Sequence, residues 1–320
     1  MRIIIGVDGG GTKTEFVRCD ETGRVLRHYL LPASNPFDIG YTAAYSVLRK
    51  GIRALIEGTD GRIDGMFVGL SGGTSGNYQA RIHGALSADF PLATFQNGSD
   101  AANAISMGLG EDDGVILIAG TGSVSFAKEG AQLRRVGGWG YLFDGAGGGY
   151  DLGRGAIAAV LSAADGTGEK TMLTALITKQ LGGDVAEMLD RIYQGGKRFI
   201  AGFAPLVFTA AAQNDIIAKD IINESVVHWT RLIRAAAASM QTPVKTALIG
   251  SLFKQNELVV RPLCEILGNR YEVTVPQTPP VFGAVRKALR LAGLWSSADT
   301  EAYFVRSLKE VEAVELSAED

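Results

Sequence analysis

The chain has 320 residues, a net charge of −3, 46% hydrophobic and 20% charged residues, and 42 glycines. At about 150 residues per domain, this length predicts two domains. The hydrophobic share excludes a disordered chain, the near-neutral charge argues against a nucleic-acid partner, and no Gly-X-Y period exists to suggest collagen.

A β-branched run at residues 3–7 predicts a strand that stops at Asp8. Extended patterns at 14–19 and 24–31 follow, with a turn at Glu21-Thr-Gly23, so a β-meander opens the chain. Residues 41–55 carry apolar Leu48, Ile52 and Leu55 at helical spacing. A buried strand at 65–70, a helix at 79–88, a strand at 93–96 and a helix starting at Asp100 come next. The outline then repeats: strand 114–119, a glycine turn, strand 124–128, a turn, strand 132–136. Residues 151–240 read as helix-rich. Strands are expected at 247–250 and 271–275 and a helix at 283–292. The last 25 residues hold seven acidic ones and read as a surface helix or a partly ordered end.

No apolar run approaches the ~18 residues of a membrane span, and residues 115–119 are typical of the runs present. The N-terminus enters a strand directly, without the features of a secretory leader. The two cysteines, Cys19 and Cys264, lie far apart, and His28, His83 and His228 form no metal-binding spacing. A cytoplasmic protein without membrane or nucleic-acid partners is the expectation.

The glycines cluster. The motif DGGGTKT at 8–14 lies between two strands. It is neither a P-loop nor a dinucleotide fingerprint, because no helix follows. Glycines nevertheless let backbone N–H groups converge on an oxyanion, and threonine hydroxyls add donors. Asp8 at the strand end is placed to hold Mg²⁺ through water, since that ion takes few carboxylates together with phosphate oxygens. A plain tight hairpin is the alternative. The motif GTGS at 120–123 repeats the arrangement, and two such loops, each opening a lobe, would clamp one polyphosphate.

The DGGGTKT loop, the IAGTGS loop, the GGWG segment at 137–140 and the late Gly250-Ser251 strand end, in this order, resemble the BadF/BadG-type branch of the actin-like, hexokinase-like ATPase superfamily. Within it they are similar to N-acetylglucosamine kinases and glucosamine kinases, to about residue 292. The resemblance implies an α/β fold of two actin-like (ribonuclease H-like) lobes with an ATP and sugar cleft between them. The lobes are expected at 1–111 and 112–295, followed by an acidic tail at 296–320. It implies ATP and Mg²⁺ as cofactors and an amino sugar, N-acetylglucosamine or glucosamine, phosphorylated at its 6-hydroxyl. Many enzymes of this type are dimers, and that expectation rests on the resemblance alone.

Residue by residue, the resemblance implies Asp100, in QNGSDAAN at 96–103, as catalytic base; a helix N-cap is its alternative role. Thr12 and Thr121 would contact ATP, among Gly10, Gly11, Lys13, Thr14, Gly120, Gly122 and Ser123, with Gly250 and Ser251 on the adenosine side. Gln213-Asn214-Asp215 falls near the adenine pocket. Asn35, Ser71, Gly72, Gly138, Trp139, Gly140 and Asp144 would join Asp100 around the sugar. Asn35 before Pro36 also reads as a turn initiator, and Trp139 as a buried core residue. One departure stands out. The family's Gly-Asp-Glu-Gly-Ser stretch is replaced by Asp144-Gly145-Ala146-Gly-Gly, which leaves the choice among amino sugars open.

Three other readings remain. An activator ATPase of a 2-hydroxyacyl-CoA dehydratase would need two cysteines placed together for a [4Fe–4S] cluster. A sugar sensor would carry a helix-turn-helix before the first strand. The ROK kinase branch would carry a Cys-rich zinc motif.

Overall fold

The computed structural model describes residues 1–144, 146–254, 256–294 and 299–318, with the side chains of Asn256 and of residues beyond 313 left aside. The chain forms two compact units, residues 1–110 with 276–320, and residues 111–275.

The first unit opens with strands β1 (Ile4–Gly9), β2 (Lys13–Cys19) and β3 (Val25–Pro32), the expected meander. Short helix α1 (Pro36–Ile39) leads into α2 (Tyr41–Ile56), whose Ala44, Leu48, Ile52 and Leu55 form one buried stripe. Then come β4 (Gly65–Leu70), α3 (Tyr78–Asp89), β5 (Phe95–Ser99) and α4 (Asp100–Leu109). The sheet order is β3-β2-β1-β4-β5. The meander pairs are antiparallel, whereas β4 and β5 run parallel to β1.

The second unit repeats this plan. Its strands β6 (Gly114–Ala119), β7 (Ser123–Glu129) and β8 (Gln132–Gly137) form the meander. Helices α5 (Gly149–Ala164), α6 (Leu173–Leu181), α7 (Leu189–Ala201), α8 (Ala204–Ala212) and α9 (Ile216–Ala236) follow. The unit closes with β9 (Val244–Ile249), α10 (Asn256–Leu267) and β10 (Tyr271–Thr274). The order β10-β9-β6-β7-β8 mirrors the first sheet strand for strand.

The expected lobe limits need correction at the C-terminal side. Helix α11 (Val281–Leu291) belongs to the first unit. Its apolar stripe of Val281, Phe282, Val285, Ala288 and Leu289 is buried against β1 and β4. Contact is close because β1 and β4 present glycines there: a Cβ on Gly6 would lie 2.7 Å from Val285 Cγ2, and one on Gly65 would strike Ala288 O. The acidic tail is likewise a docked element. Helix α12 (Asp299–Ala318) packs on β3, with Phe304 fully buried against Phe282 and the Ser307 hydroxyl accepting the Val25 N–H. The acidic residues mask a buried face: Phe304, Ser307 and Leu308 line one side while Glu301, Glu310 and Glu312 stay exposed. Residues 296–298, 319 and 320 of the expected tail lie outside the described residues.

Candidate active site

Parallel pairing of β1, β4 and β5 aligns their C-terminal ends. Asp8 stands opposite Gly69 and Gly9 opposite Leu70, while Leu70 stands opposite Ser99. The next residues in each strand therefore gather on one sheet edge: the loop 10–12, Ser71 and Asp100. Ligand sites in open α/β sheets lie at such carboxyl ends.

Asp100 is the first residue of α4, and Ser99 occupies the N-cap position. The capping alternative for Asp100 is thus replaced by a carboxylate at a helix N-terminus. Its Oδ1 accepts the Ala101 N–H at 2.9 Å. Burial raises its pKa above the ordinary aspartate value, opposed by bonds from the Ala101 N–H and the Ser71 hydroxyl. Ser71 therefore touches the carboxylate assigned as base. Asp8 is raised further, to about 7. Burial is the main cause, the charges of Asp100 and Glu15 add to it, and a bond from Asn103 opposes it. A carboxylate at the head of a glycine loop fits Mg²⁺, which takes few carboxylates and completes its shell with water and phosphate oxygens. Among the described residues no cluster of three or more His, Cys, Asp or Glu forms a metal cage.

The 10–13 loop is pinned from beneath. Gly10 N–H donates to Lys13 O at 2.9 Å, Ser34 N–H to Gly10 O, and Ser71 N–H to Gly9 O at 2.8 Å. Thr12 and Lys13 stay exposed, with Gly10 and Gly11 half-buried. The Thr14 side chain requires a correction. It is fully buried, and its hydroxyl lies 2.8 Å from both Pro32 O and the Ser34 hydroxyl. It fastens β2 to the end of β3 rather than facing a phosphate. Alternation along a strand explains this: Lys13 points out, so Thr14 points in.

Asn35 is buried and caps α1. Its Oδ1 accepts the Phe37 N–H at 2.9 Å, and its Nδ2 donates to Asp38 at 2.8 Å. The turn-initiating role is thus present. Gly72 lies against the same amide: a Cβ there would strike Asn35 Oδ1. Gly72, Ser71 and Asn35 are brought together.

In the second unit the hairpin turn at 120–122 is exposed. The start of α5 grips it from one side, Gly149 N–H donating to Gly120 O at 2.7 Å and Tyr150 N–H to Thr121 O at 3.0 Å. Space beyond the Cα of Gly120 and of Gly122 is open. Parallel pairing of β6 with β9 sets Ile118 opposite Ile249, which brings Gly250-Ser251 beside this turn. Gly250 has φ 126°, and a Cβ there would strike Ala119 O. Ser123 is buried, its hydroxyl directed to Ala146 O at 3.3 Å. It braces the turn and, like Thr14, is corrected from a phosphate contact to an internal one. Asp215 caps α9 and binds the Met172 N–H, so within Gln213-Asn214-Asp215 the acid is structural.

The glycine-rich segment after β8 holds an exposed aromatic group. Trp139 is 68% exposed, with Arg135 over its ring at 4.7 Å, so it is no core residue. Gly137, Gly138, Gly140 and Gly147 all take positive φ. Asp144 closes its own turn by accepting the Gly140 N–H at 2.9 Å. Gly145, where the departure from the family pattern falls, lies outside the described residues.

Three further residues are given no role by the sequence. Asn103 is fully buried and donates to Asp8 Oδ1. Trp229 donates to Gly147 O at 2.7 Å. His228 lies beside Gly147, and burial lowers its pKa against the pull of Asp144 and Asp151. A polar residue one turn after Asp100 was the only hint for Asn103.

The sequence model of the BadF/BadG/BcrA/BcrD ATPase family matches residues 5–289. An N-acetyl-D-glucosamine kinase of Dictyostelium discoideum is 31% identical over 239 residues, covering 69% of this chain and 74% of that protein. An N-acetylmuramic acid/N-acetylglucosamine kinase of Clostridium acetobutylicum is 29% identical over 272 residues, covering 81% and 83%. The crystal structure of a Chromobacterium violaceum protein to which N-acetylglucosamine kinase activity has been ascribed superposes with a TM-score of 0.73 at 26% identity, covering 91% and 99%. The two α/β units, each built on a mixed five-stranded sheet, thus share the fold of actin-like sugar kinases, and the chain belongs to the BadF/BadG/BcrA/BcrD ATPase family.

Proposed function

We propose that the protein is an ATP-dependent kinase that phosphorylates an amino sugar, N-acetylglucosamine or glucosamine, at its 6-hydroxyl. The observation that carries this reading is the pair of half-buried carboxylates, Asp8 and Asp100, on the edge that also bears the glycine loop. The relatives named as amino-sugar kinases support the substrate class.

In this reading, the Thr12 backbone N–H, with Gly11 and Lys13, holds phosphate oxygens in the first unit, while the Gly10 N–H closes the turn on Lys13 O. Thr121 and Gly122 do so in the second, where the Gly120 N–H closes the turn on Gly122 O, with Gly250 and Ser251 toward the adenosine. Asp8 would hold Mg²⁺ through water, and the ion would supply charge neutralisation for the transferred phosphoryl group. Asn35, Ser71, Gly72 and Trp139, with Gly138, Gly140 and Asp144, orient the sugar. Asp100 accepts the proton of the attacking hydroxyl. Burial raises its pKa, which makes the carboxylate a better base. In this reading the enzyme works in the cytoplasm, where ATP is at hand.

Cys19 and Cys264 are both free and lie in different units. They give no support to an iron–sulfur activator. An ADP-release screen against glucosamine, N-acetylglucosamine, N-acetylmannosamine, N-acetylmuramic acid and glucose tests the proposal. Turnover confined to amino sugars supports it, and no turnover with any of them defeats it.

A further inference from the structure

Asn103 sits one helical turn after Asp100 on α4, with its side chain wholly buried among apolar residues. Its Nδ2 donates to Asp8 Oδ1 at 2.7 Å and to Val7 O at 3.1 Å. Both amide N–H groups are thereby used, one on each acceptor. The orientation of the amide is determined, because a flip would set its oxygen against two acceptors. Asn103 Oδ1 is buried and finds no donor among the described residues. A buried acceptor without a partner costs stability, so packing alone would favour an apolar side chain at this position.

The surroundings are shaped to this amide. A Cβ on Gly69 of β4 would strike the Asn103 side chain, and one on Gly283 of α11 would strike its main-chain oxygen. Two glycines from different elements therefore let α4 sit close enough for the bond to Asp8 to form. We infer that Asn103 is a positioning residue that fixes the Asp8 carboxylate in the rotamer needed to hold the nucleotide-bound metal, tying the metal carboxylate and the base Asp100 to a single helix. This rests on the metal role given to Asp8 under the proposed function. Residues that orient a metal-binding group commonly change metal affinity 10- to 100-fold when removed.

The test is calorimetric titration of ADP, with and without Mg²⁺, into the wild type, Asn103→Ala and Asn103→Leu. In the wild type, Mg²⁺ tightens ADP binding. In both variants that gain falls by about tenfold, while metal-free ADP binding stays at the wild-type value. Asn103→Leu keeps the volume and removes the partnerless oxygen, though it leaves Val7 O and Asp8 Oδ1 without the amide donor, and it carries the test if the alanine variant does not fold. In an Asp8→Ala background, Asn103→Ala produces no further loss. A full Mg²⁺ gain in either folded variant overturns the inference, and so does a wild type whose ADP affinity ignores Mg²⁺. Failure of the amino-sugar reading shows separately, as absence of turnover in the sugar screen with the Mg²⁺-dependent ADP titration intact.

Discussion

The carboxylates of Asp8, on β1, and of Asp100, just past the end of β5, stand on one edge of the first sheet with only β4 between those strands, and the charge of Asp100 adds to the burial that lifts Asp8 to about 7. Two acids this close divide their work by environment. Asp8 is the more strongly raised, so a bound cation would favour its ionised form at neutral pH. Asp100 is held by the Ala101 N–H and the Ser71 hydroxyl.

For Asp100 the expected result is a loss of chemistry without a loss of binding. Asp100→Asn should lower kcat by about 10²- to 10⁴-fold, the usual contribution of a general base. Its ADP affinity should match the wild type by calorimetry. Near-normal turnover with every amino sugar would move the base elsewhere.

Asp8 makes a prediction about pH. Its folded pKa of about 7 lies above the ordinary value of 3.8. The folded state therefore favours the protonated acid, and that contribution is fully present below the ordinary value. It is lost as pH rises from there to about 7. Asp8→Asn keeps an oxygen for Asn103 and removes the buried charge. The variant should melt above the wild type at pH 8 in metal-free buffer and together with it near the ordinary aspartate value, while losing kinase activity. Parallel thermal melts across pH check this, and equal melting temperatures at pH 8 would refute it.

Thr12 and Thr14 should separate cleanly. Thr14→Val removes a buried hydroxyl bonded to Pro32 and Ser34, and should cost about 1–3 kcal/mol in urea unfolding. Thr12→Val, at an exposed position, should leave stability within about 0.5 kcal/mol and raise the KM for ATP. The reverse pattern would return Thr14 to the phosphate site.

Phe304 tests whether the acidic C-terminal segment is part of the fold. Its ring is fully buried, 4.9 Å from that of Phe282. Phe304→Ala should destabilise the protein by about 3–5 kcal/mol, read from denaturant midpoints. A change below about 0.5 kcal/mol, the usual limit for a surface position, would mean that α12 contributes nothing.

Trp139 is exposed, so Trp139→Ala should change stability by less than about 0.5 kcal/mol. It should raise the KM for the sugar while sparing that for ATP. Unchanged sugar kinetics would remove Trp139 from the sugar site.

Local pattern was a good guide wherever one residue run decided the outcome. The meanders, the stripe of α2 and the strand at Gly65–Leu70 were legible because periodic apolar residues and glycine turns act over a few positions. The roles of Thr14 and Ser123 were misread because a motif names residue types and not the face on which each side chain lies. Both sit inside hairpin strands, where alternate residues turn inward. For Trp139 only the core alternative fails, since the ring stands in solvent among positive-φ glycines.

By itself the sequence determined the two repeated meanders, the two glycine turns and the carboxylate at the head of α4, since each depends on neighbours along the chain. Only the tertiary structure decided that residues 276–320 complete the first unit, that Asn103 reaches Asp8 across 95 positions, and that Gly250 lies beside Gly120. Those facts rest on parallel strand pairing and on helices seated over glycines, contacts whose partners are far apart in the chain and leave no periodic mark on it.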